Sequence, residues 1–206
     1  MSAVHNLAPR VVLYTAGSLP APSVEEGWIA LPQLPSAPGA TTVFGDGSHP
    51  TTRLCAAAVD LLCRQRQTHP PAVLDVGTGT GILARIARAR GARWVVCTDI
   101  DPAALACAEA HAHLDHHPVA IELSCEAPDH WGARFDLVVA NILQEPLQVL
   151  APALCGALAV GGVLLISGFT RPQVPSLRVI YERVGVTLLG QSNLEDWVLL
   201  TFASPR

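Results

Sequence analysis

The feature that most constrains this chain is Leu74-Asp75-Val76-Gly77-Thr78-Gly79-Thr80-Gly81, an apolar run that meets glycines at every second position and passes into the helical pattern of Ile82 to Arg90. Glycines let the backbone turn tightly and leave room for a ligand to lie against it, and a helix start favours electronegative groups. A glycine-rich turn with a structural role only is the competing reading. The spacing separates two ligand classes, because the dinucleotide fingerprint GxGxxG puts its third glycine one position later than Gly77, Gly79 and Gly81 do.

Around this motif short β-rich runs alternate with helical patterns. Strands are expected at Ala72 to Val76, Trp94 to Thr98, Val119 to Leu123, Phe135 to Ala140 and Val163 to Ser167. Helices are expected from Thr52 to Arg66, Ile82 to Arg90, Pro102 to about His113 and Glu145 to Ala159. Such alternation argues for an α/β fold with a parallel sheet covered on both faces. The end differs: Val186 to Leu189 and Trp197 to Phe202, around the polar turn Gln191 to Asp196, read as a hairpin that closes the sheet with one antiparallel strand. Residues 1 to 42 form a Pro-rich extension with two short edge strands at Val11 to Tyr14 and Trp28 to Leu31, and 43 to 206 form the domain proper.

An acidic residue belongs at the end of the second strand, roughly 20 residues past the glycines, to accept from ribose hydroxyls. Asp99 stands there. Asp101, followed by Pro102, reads instead as a helix N-cap. Glu126 has two readings, a contact to an adenine edge or a solvated loop carboxylate. Asn141 closes the fourth strand at the carboxyl edge of the sheet, where open α/β folds bind ligands, and a cap for the following helix is its alternative.

Composition narrows the function further. The net charge is -4 with 15% charged residues, so no strong nucleic-acid signal is present. All thirteen basic residues are arginine, which excludes a catalytic lysine. Six cysteines without CxxC spacing suit a reducing, cytoplasmic setting. The uncharged stretch from Glu145 to Arg171 is long enough for a membrane span, but Gly161 and Gly162 divide it into helix and strand, so no membrane partner is expected. His111, His113, His116 and His117 lack a convincing metal spacing, and no metal is assigned.

Four segments together resemble the PrmA-type methyltransferases, which methylate a stalk protein of the large ribosomal subunit. They are Phe44-Gly45-Asp46-Gly47-Ser48-His49-Pro50-Thr51-Thr52, the Asp75 to Leu83 motif, Thr98-Asp99-Ile100-Asp101-Pro102 and Ala140-Asn141-Ile142-Leu143, with Glu195-Asp196-Trp197-Val198 similar to that family's end. The resemblance implies a seven-stranded Rossmann-like class I methyltransferase sheet with a C-terminal antiparallel strand, and S-adenosyl-L-methionine as cofactor. It places Thr52, Gly77, Asp99 and Asn141 against that cofactor. The full set of expected cofactor contacts is Thr52, Asp75, Gly77, Thr78, Gly79, Gly81, Asp99, Ile100 and Asn141, with Asn141 also the candidate catalytic residue, orienting an acceptor amine.

The expected partner is a methyl acceptor, first a protein amine, lysine or N-terminal. A small molecule or non-ribosomal protein, a non-catalytic cofactor-binding subunit and a nicotinamide-dependent oxidoreductase are the alternatives. Two departures stand out. The family's separate recognition domain is not legible in the first forty residues, and Asp46 occupies a position usually small and uncharged.

Overall fold

A computed structural model describes residues 4–17, 24–34, 43–115 and 117–205. Seven strands form the main sheet: β4 (Ala72–Val76), β5 (Trp94–Thr98), β6 (Ile121–Ser124), β7 (Phe135–Asn141), β8 (Leu158–Thr170), β9 (Thr187–Leu194) and β10 (Trp197–Ala203). Their order is β6-β5-β4-β7-β8-β10-β9, and β10 alone runs antiparallel to its neighbours. The expected α/β class, seven-stranded sheet and antiparallel closing strand are therefore all present.

Each central strand is apolar at successive positions because both of its faces are covered. Val73, Val95, Val139, Leu165 and Leu199 join one core cluster, while their chain neighbours Leu74, Val96, Val138, Leu164 and Leu200 join the other. Helices α1 (Pro50–Gln65) and α2 (Ile82–Ala89) supply Cys55, Val59, Ile82 and Ile86 to the first cluster. On the opposite face, α4 (Gln144–Gly156) and α5 (Val174–Val184) supply Leu147, Leu154, Leu177 and Tyr181. The Tyr181 hydroxyl donates to the Leu147 carbonyl at 2.8 Å, satisfying its one polar atom in that core. Burial pushes this phenol well above its usual range. The uncharged stretch splits into a helix and a strand, α4 and β8, but the break falls at Ala157 and the expected dividers Gly161 and Gly162 lie within β8; among the described residues no helix is long and apolar enough to cross a membrane.

Three elements depart from the sequence reading. Helix α5 was not anticipated, although Leu177 and Tyr181, four residues apart, make its buried stripe. Strand β9 extends through Gln191–Leu194, read above as turn, because an edge strand tolerates polar side chains on its open faces and only Glu195-Asp196 is needed to reverse the chain. Glu195 takes the left-handed conformation there, with φ 56°.

The third departure is the N-terminal segment, which builds a second sheet, β1 (Val4–Ala8), β2 (Val11–Thr15) and β3 (Ile29–Gln33), in the order β1-β2-β3. Strands β2 and β3 were expected; β1 was not. Leu7, Val11, Leu13 and Leu31 belong to the same apolar cluster as α1 and α2. Arginines of α2 and its C-cap pin the sheet in place. Arg85 donates to the Pro32 carbonyl at 2.5 Å, and Arg90 donates to the carbonyls of Gly27 (2.8 Å) and Arg10 (3.2 Å). Buried carboxylates hold these arginines in turn: Asp115 pairs with both Arg85 and Arg88 at 2.6 Å, and Asp60 pairs with Arg90 at 2.5 Å.

Candidate functional site

The site is assembled at the carboxyl ends of β4, β5 and β7. As β4 ends, Gly77 and Thr78 both donate their amides to the Thr98 carbonyl of β5, at 2.8 and 3.1 Å. These two hydrogen bonds to one acceptor turn the chain away from the sheet. Asp75 sits beneath the turn, 1% exposed, and accepts from the Thr78 hydroxyl at 2.7 Å. Burial raises its pKa to about 6, against the lowering effect of the Thr78 hydroxyl and the Ala84 amide. The carboxylate thus braces the loop from below.

Asp99 reaches the loop from the neighbouring strand. One of its oxygens accepts from the Gly79 amide at 3.1 Å and the other from the Asp101 amide at 3.0 Å. Asp101 itself caps α3 (Pro102–Leu114), accepting from the Ala103 amide at 2.9 Å, which is the role its following proline suggested. Ile100, between the two, is 97% exposed, an apolar side chain held in solvent beside a carboxylate. Glu126 is also exposed, with the His130 ring 3.8 Å away. His111 is occupied elsewhere: its Nε2 accepts from the Leu34 amide and its Nδ1 lies 2.9 Å from the Cys107 carbonyl. Those two contacts define a neutral ring, and burial lowers its pKa accordingly. His116 lies outside the described residues.

A second loop, residues 44–49, leans on the glycine motif. Thr80 donates its amide to the Phe44 carbonyl at 3.0 Å and its hydroxyl to the Gly45 carbonyl at 2.6 Å. Asp46 closes a tight turn by accepting from the Ser48 amide (2.9 Å) and hydroxyl (2.7 Å), a local explanation for an acidic residue at this position. His49 then caps α1, with its ring 5.2 Å from Phe44 and 4.6 Å from Trp197. Thr52, in the first turn of that helix, is 1% exposed, yet its Oγ1 has no hydrogen-bond partner.

Asn141, the last residue of β7, shares this property: its Oδ1 is buried and unpartnered. Sequence reasoning found both residues and missed what holds Asn141 in place. Ile142 is clamped between two glycines, because a Cβ on Gly77 would strike its Cγ2 and a Cβ on Gly168 would strike its carbonyl group. Gly168 also takes a φ of 100°, and the Ile142 amide donates to the Ser167 carbonyl at 3.1 Å. Beyond it, Gln173 donates to Gln144 at 2.5 Å and Gln144 to Ser176 at 3.1 Å, tying the start of α4 to the segment after β8. Gly168, directly after the expected strand Val163 to Ser167 and inside the observed β8, was the available signal, but nothing local says what it must approach.

A buried polar atom without a partner costs about 1–3 kcal/mol. Three exist among the described side chains, and two of them, Thr52 Oγ1 and Asn141 Oδ1, are at positions that the resemblance assigned to a cofactor. With the close approach that the glycine loop allows, the Asp99 carboxylate and the exposed face of Ile100, the site offers hydrogen-bonding and apolar contacts around one bend of backbone. These residues fit a nucleoside-bearing, amino-acid-like molecule.

Comparisons with known proteins bear on the family and the fold. The family model for ribosomal protein L11 methyltransferase (PrmA) matches residues 37–205. A ribosomal protein L11 methyltransferase of Dechloromonas aromatica is 40% identical over 162 residues, covering 79% of this chain and 52% of the relative. The chain spans about half the length of the curated relatives it matches. Among solved structures, the ribosomal protein L11 methylase of Lactobacillus delbrueckii subsp. bulgaricus superposes with a TM-score of 0.81 at 29% identity, covering 98% of this chain and 99% of that one. The magnesium protoporphyrin IX methyltransferase of Synechocystis, solved with bound SAM, shares the fold alone, with a TM-score of 0.60 at 18% identity over 81% of this chain and 86% of that one. With more than half of its length matched by the family model, this chain belongs to the ribosomal protein L11 methyltransferase (PrmA) family.

Proposed function

We propose that the chain is an S-adenosylmethionine-dependent methyltransferase whose acceptor is a protein amine. The observation that carries this reading is the pair of buried, unpartnered oxygens, Thr52 Oγ1 and Asn141 Oδ1, on elements joined to the glycine loop. A ligand with polar groups there removes the cost of both. When bound, the cofactor supplies a methyl group already activated by its sulfonium. The chain's own residues then have three tasks: to hold it, to align the acceptor and to exclude water.

Asp99, already receiving two backbone amides, is the group that takes the ribose hydroxyls, and Ile100 offers the adenine an apolar surface. The Gly77–Gly81 turn lets the amino-acid portion approach the backbone. Asn141 Oδ1 accepts an N–H of the incoming amine and so directs its lone pair. A lysine amine with a pKa near 10.4 is neutral in only about 1 in 2,500 molecules at pH 7, a handicap of roughly 4.6 kcal/mol. Burial against the cofactor's positive charge lowers that pKa, so the site works without a strong general base.

The relatives are named for ribosomal protein L11, which makes purified L11 the first acceptor to test. The six unpaired cysteines, three of them buried, suit a cytoplasmic enzyme. The test is thermal unfolding with and without S-adenosylhomocysteine, followed by methyl transfer to L11. The wild-type melting temperature is expected to rise, Asp99→Ala to lose most of the shift, and Asn141→Ala to transfer methyl about 100-fold more slowly, roughly the value of one positioning hydrogen bond at a reacting centre. Absence of any shift in the wild type sinks the cofactor reading. Full turnover by Asn141→Ala at unchanged cofactor affinity sinks the role given to that amide.

A further inference from the structure

A cavity of about 370 Å³ lies between the first turns of α1, the N-terminal sheet and the end of β9, with Asn6, Trp28, Arg53, Leu54, Asn193 and Leu194 among its walls. Its place in the fold connects it to the chemistry. Strand β9 runs parallel to β8, so Asn193 and Leu194 sit at the carboxyl edge of the sheet, the edge that carries the glycine loop. Arg53 follows Thr52 directly in α1, and the helix cap His49 packs on Trp197 just past the β9–β10 turn.

Two properties of the cavity are specific. Arg53 forms no ion pair and no side-chain hydrogen bond among the described residues, whereas Arg64 of the same helix, Arg85 and Arg88 of α2 and Arg90 at its C-cap are each paired with a carboxylate. Among the described residues no acidic side chain lines the cavity, and the one charge on its otherwise largely apolar walls is the exposed Arg53. The cavity is also bordered by β1 and β9, the terminal strands of their two sheets. Sheet edges accept extended chain, and side-chain amides such as Asn6 and Asn193 can bond a passing peptide backbone.

We propose that this cavity is the acceptor subsite, and that it takes an extended segment of the acceptor protein whose acidic side chain pairs with Arg53. The proposal rests on the methyltransferase reading above. A guanidinium in a partly apolar cavity binds a carboxylate through charge-assisted hydrogen bonds, stronger than those between neutral groups. The chain's net charge of -4 repels acidic peptides overall, so affinity for one has to come from this local charge.

The experiment is fluorescence anisotropy on the full chain with S-adenosylhomocysteine present, using a fluorescein-labelled decapeptide of alternating Glu and Thr and its Gln-Thr counterpart. The Glu peptide is expected to bind at least about tenfold more tightly than the Gln peptide. Arg53→Gln is expected to erase that preference, and Arg53→Glu to turn it toward a Lys-Thr peptide. Arg183→Gln, an exposed change on α5, is expected to leave the preference intact. Equal binding of both peptides overturns the proposal, as does equal weakening by Arg53→Gln and Arg183→Gln. The melting shift with S-adenosylhomocysteine, measured on every variant, separates the two readings: a retained shift without peptide preference refutes the subsite alone, and a missing wild-type shift refutes the cofactor site.

Discussion

At the glycine loop, backbone amides and short side chains do the holding: Thr98, Phe44 and Gly45 offer carbonyls, and Asp75 and Asp99 offer carboxylates to groups within one bend of chain. The N-terminal sheet, by contrast, is fastened by long arginines that cross from α2 to its carbonyls and are held by buried Asp115 and Asp60. The first arrangement stores its specificity in backbone geometry, where a single added carbon is disruptive. The second stores it in buried charge, where an unpaired partner is costly.

The largest effect is expected on the arginine side. Asp115→Ala leaves Arg85 and Arg88 buried without their carboxylate, their side chains only 1% and 4% exposed, and should cost about 3–5 kcal/mol in urea unfolding. Protease cleavage N-terminal to Phe44 should accelerate as well. Wild-type stability in this variant refutes the idea that buried charge fastens the sheet.

Next is Asp75, whose carboxyl burial shifts to about 6. Between about pH 4 and pH 6 the folded protein keeps a proton that the unfolded chain has released, so stability falls as pH rises through that window. Asp75→Asn cannot ionise and should flatten this slope, with the two proteins diverging by of the order of 3 kcal/mol between pH 4 and pH 7. Parallel stability curves for variant and wild type exclude a neutral Asp75 in that range.

The smallest effect in energy is the most local. Gly168→Ala should push the Ile142 carbonyl and with it Asn141, slowing methyl transfer about 100-fold, equivalent to roughly 2.7 kcal/mol. The melting shift with S-adenosylhomocysteine and the protease resistance of the N-terminal sheet should both survive. Unchanged kcat in Gly168→Ala shows that the clamp on Ile142 does not reach the reacting amide.

Much of the fold was legible in the residues. Strands β4 and β5 begin and end where their apolar runs do, at Ala72–Val76 and Trp94–Thr98. Pro102 identified Asp101 as a cap, which the structure shows, while Asp99, expected to meet ribose hydroxyls, accepts the Gly79 amide of the loop. Less was legible where polarity misleads. Gln191–Leu194 reads as a turn because nothing in an edge strand obliges its side chains to be apolar, and α5 has only Leu177 and Tyr181 fully buried to mark its face. The Pro-rich N-terminus gave two of its three strands but no hint that Leu7 and Leu13 would join the core beneath α1 and α2.

What the residues determined alone were the features set by neighbours in the chain: the period of each element, the caps, the glycines of the bend and the acidic residue one strand later. Such features follow from steric and hydrogen-bonding preferences within a few residues. Only the tertiary structure decided that Gly168 must lack a side chain for Ile142, that Arg85 and Arg90 reach distant carbonyls of the N-terminal segment, and that Arg53 lines a cavity with no carboxylate among its described residues. Those facts depend on surfaces brought together by folding, and no local preference of the chain encodes which distant group will arrive opposite.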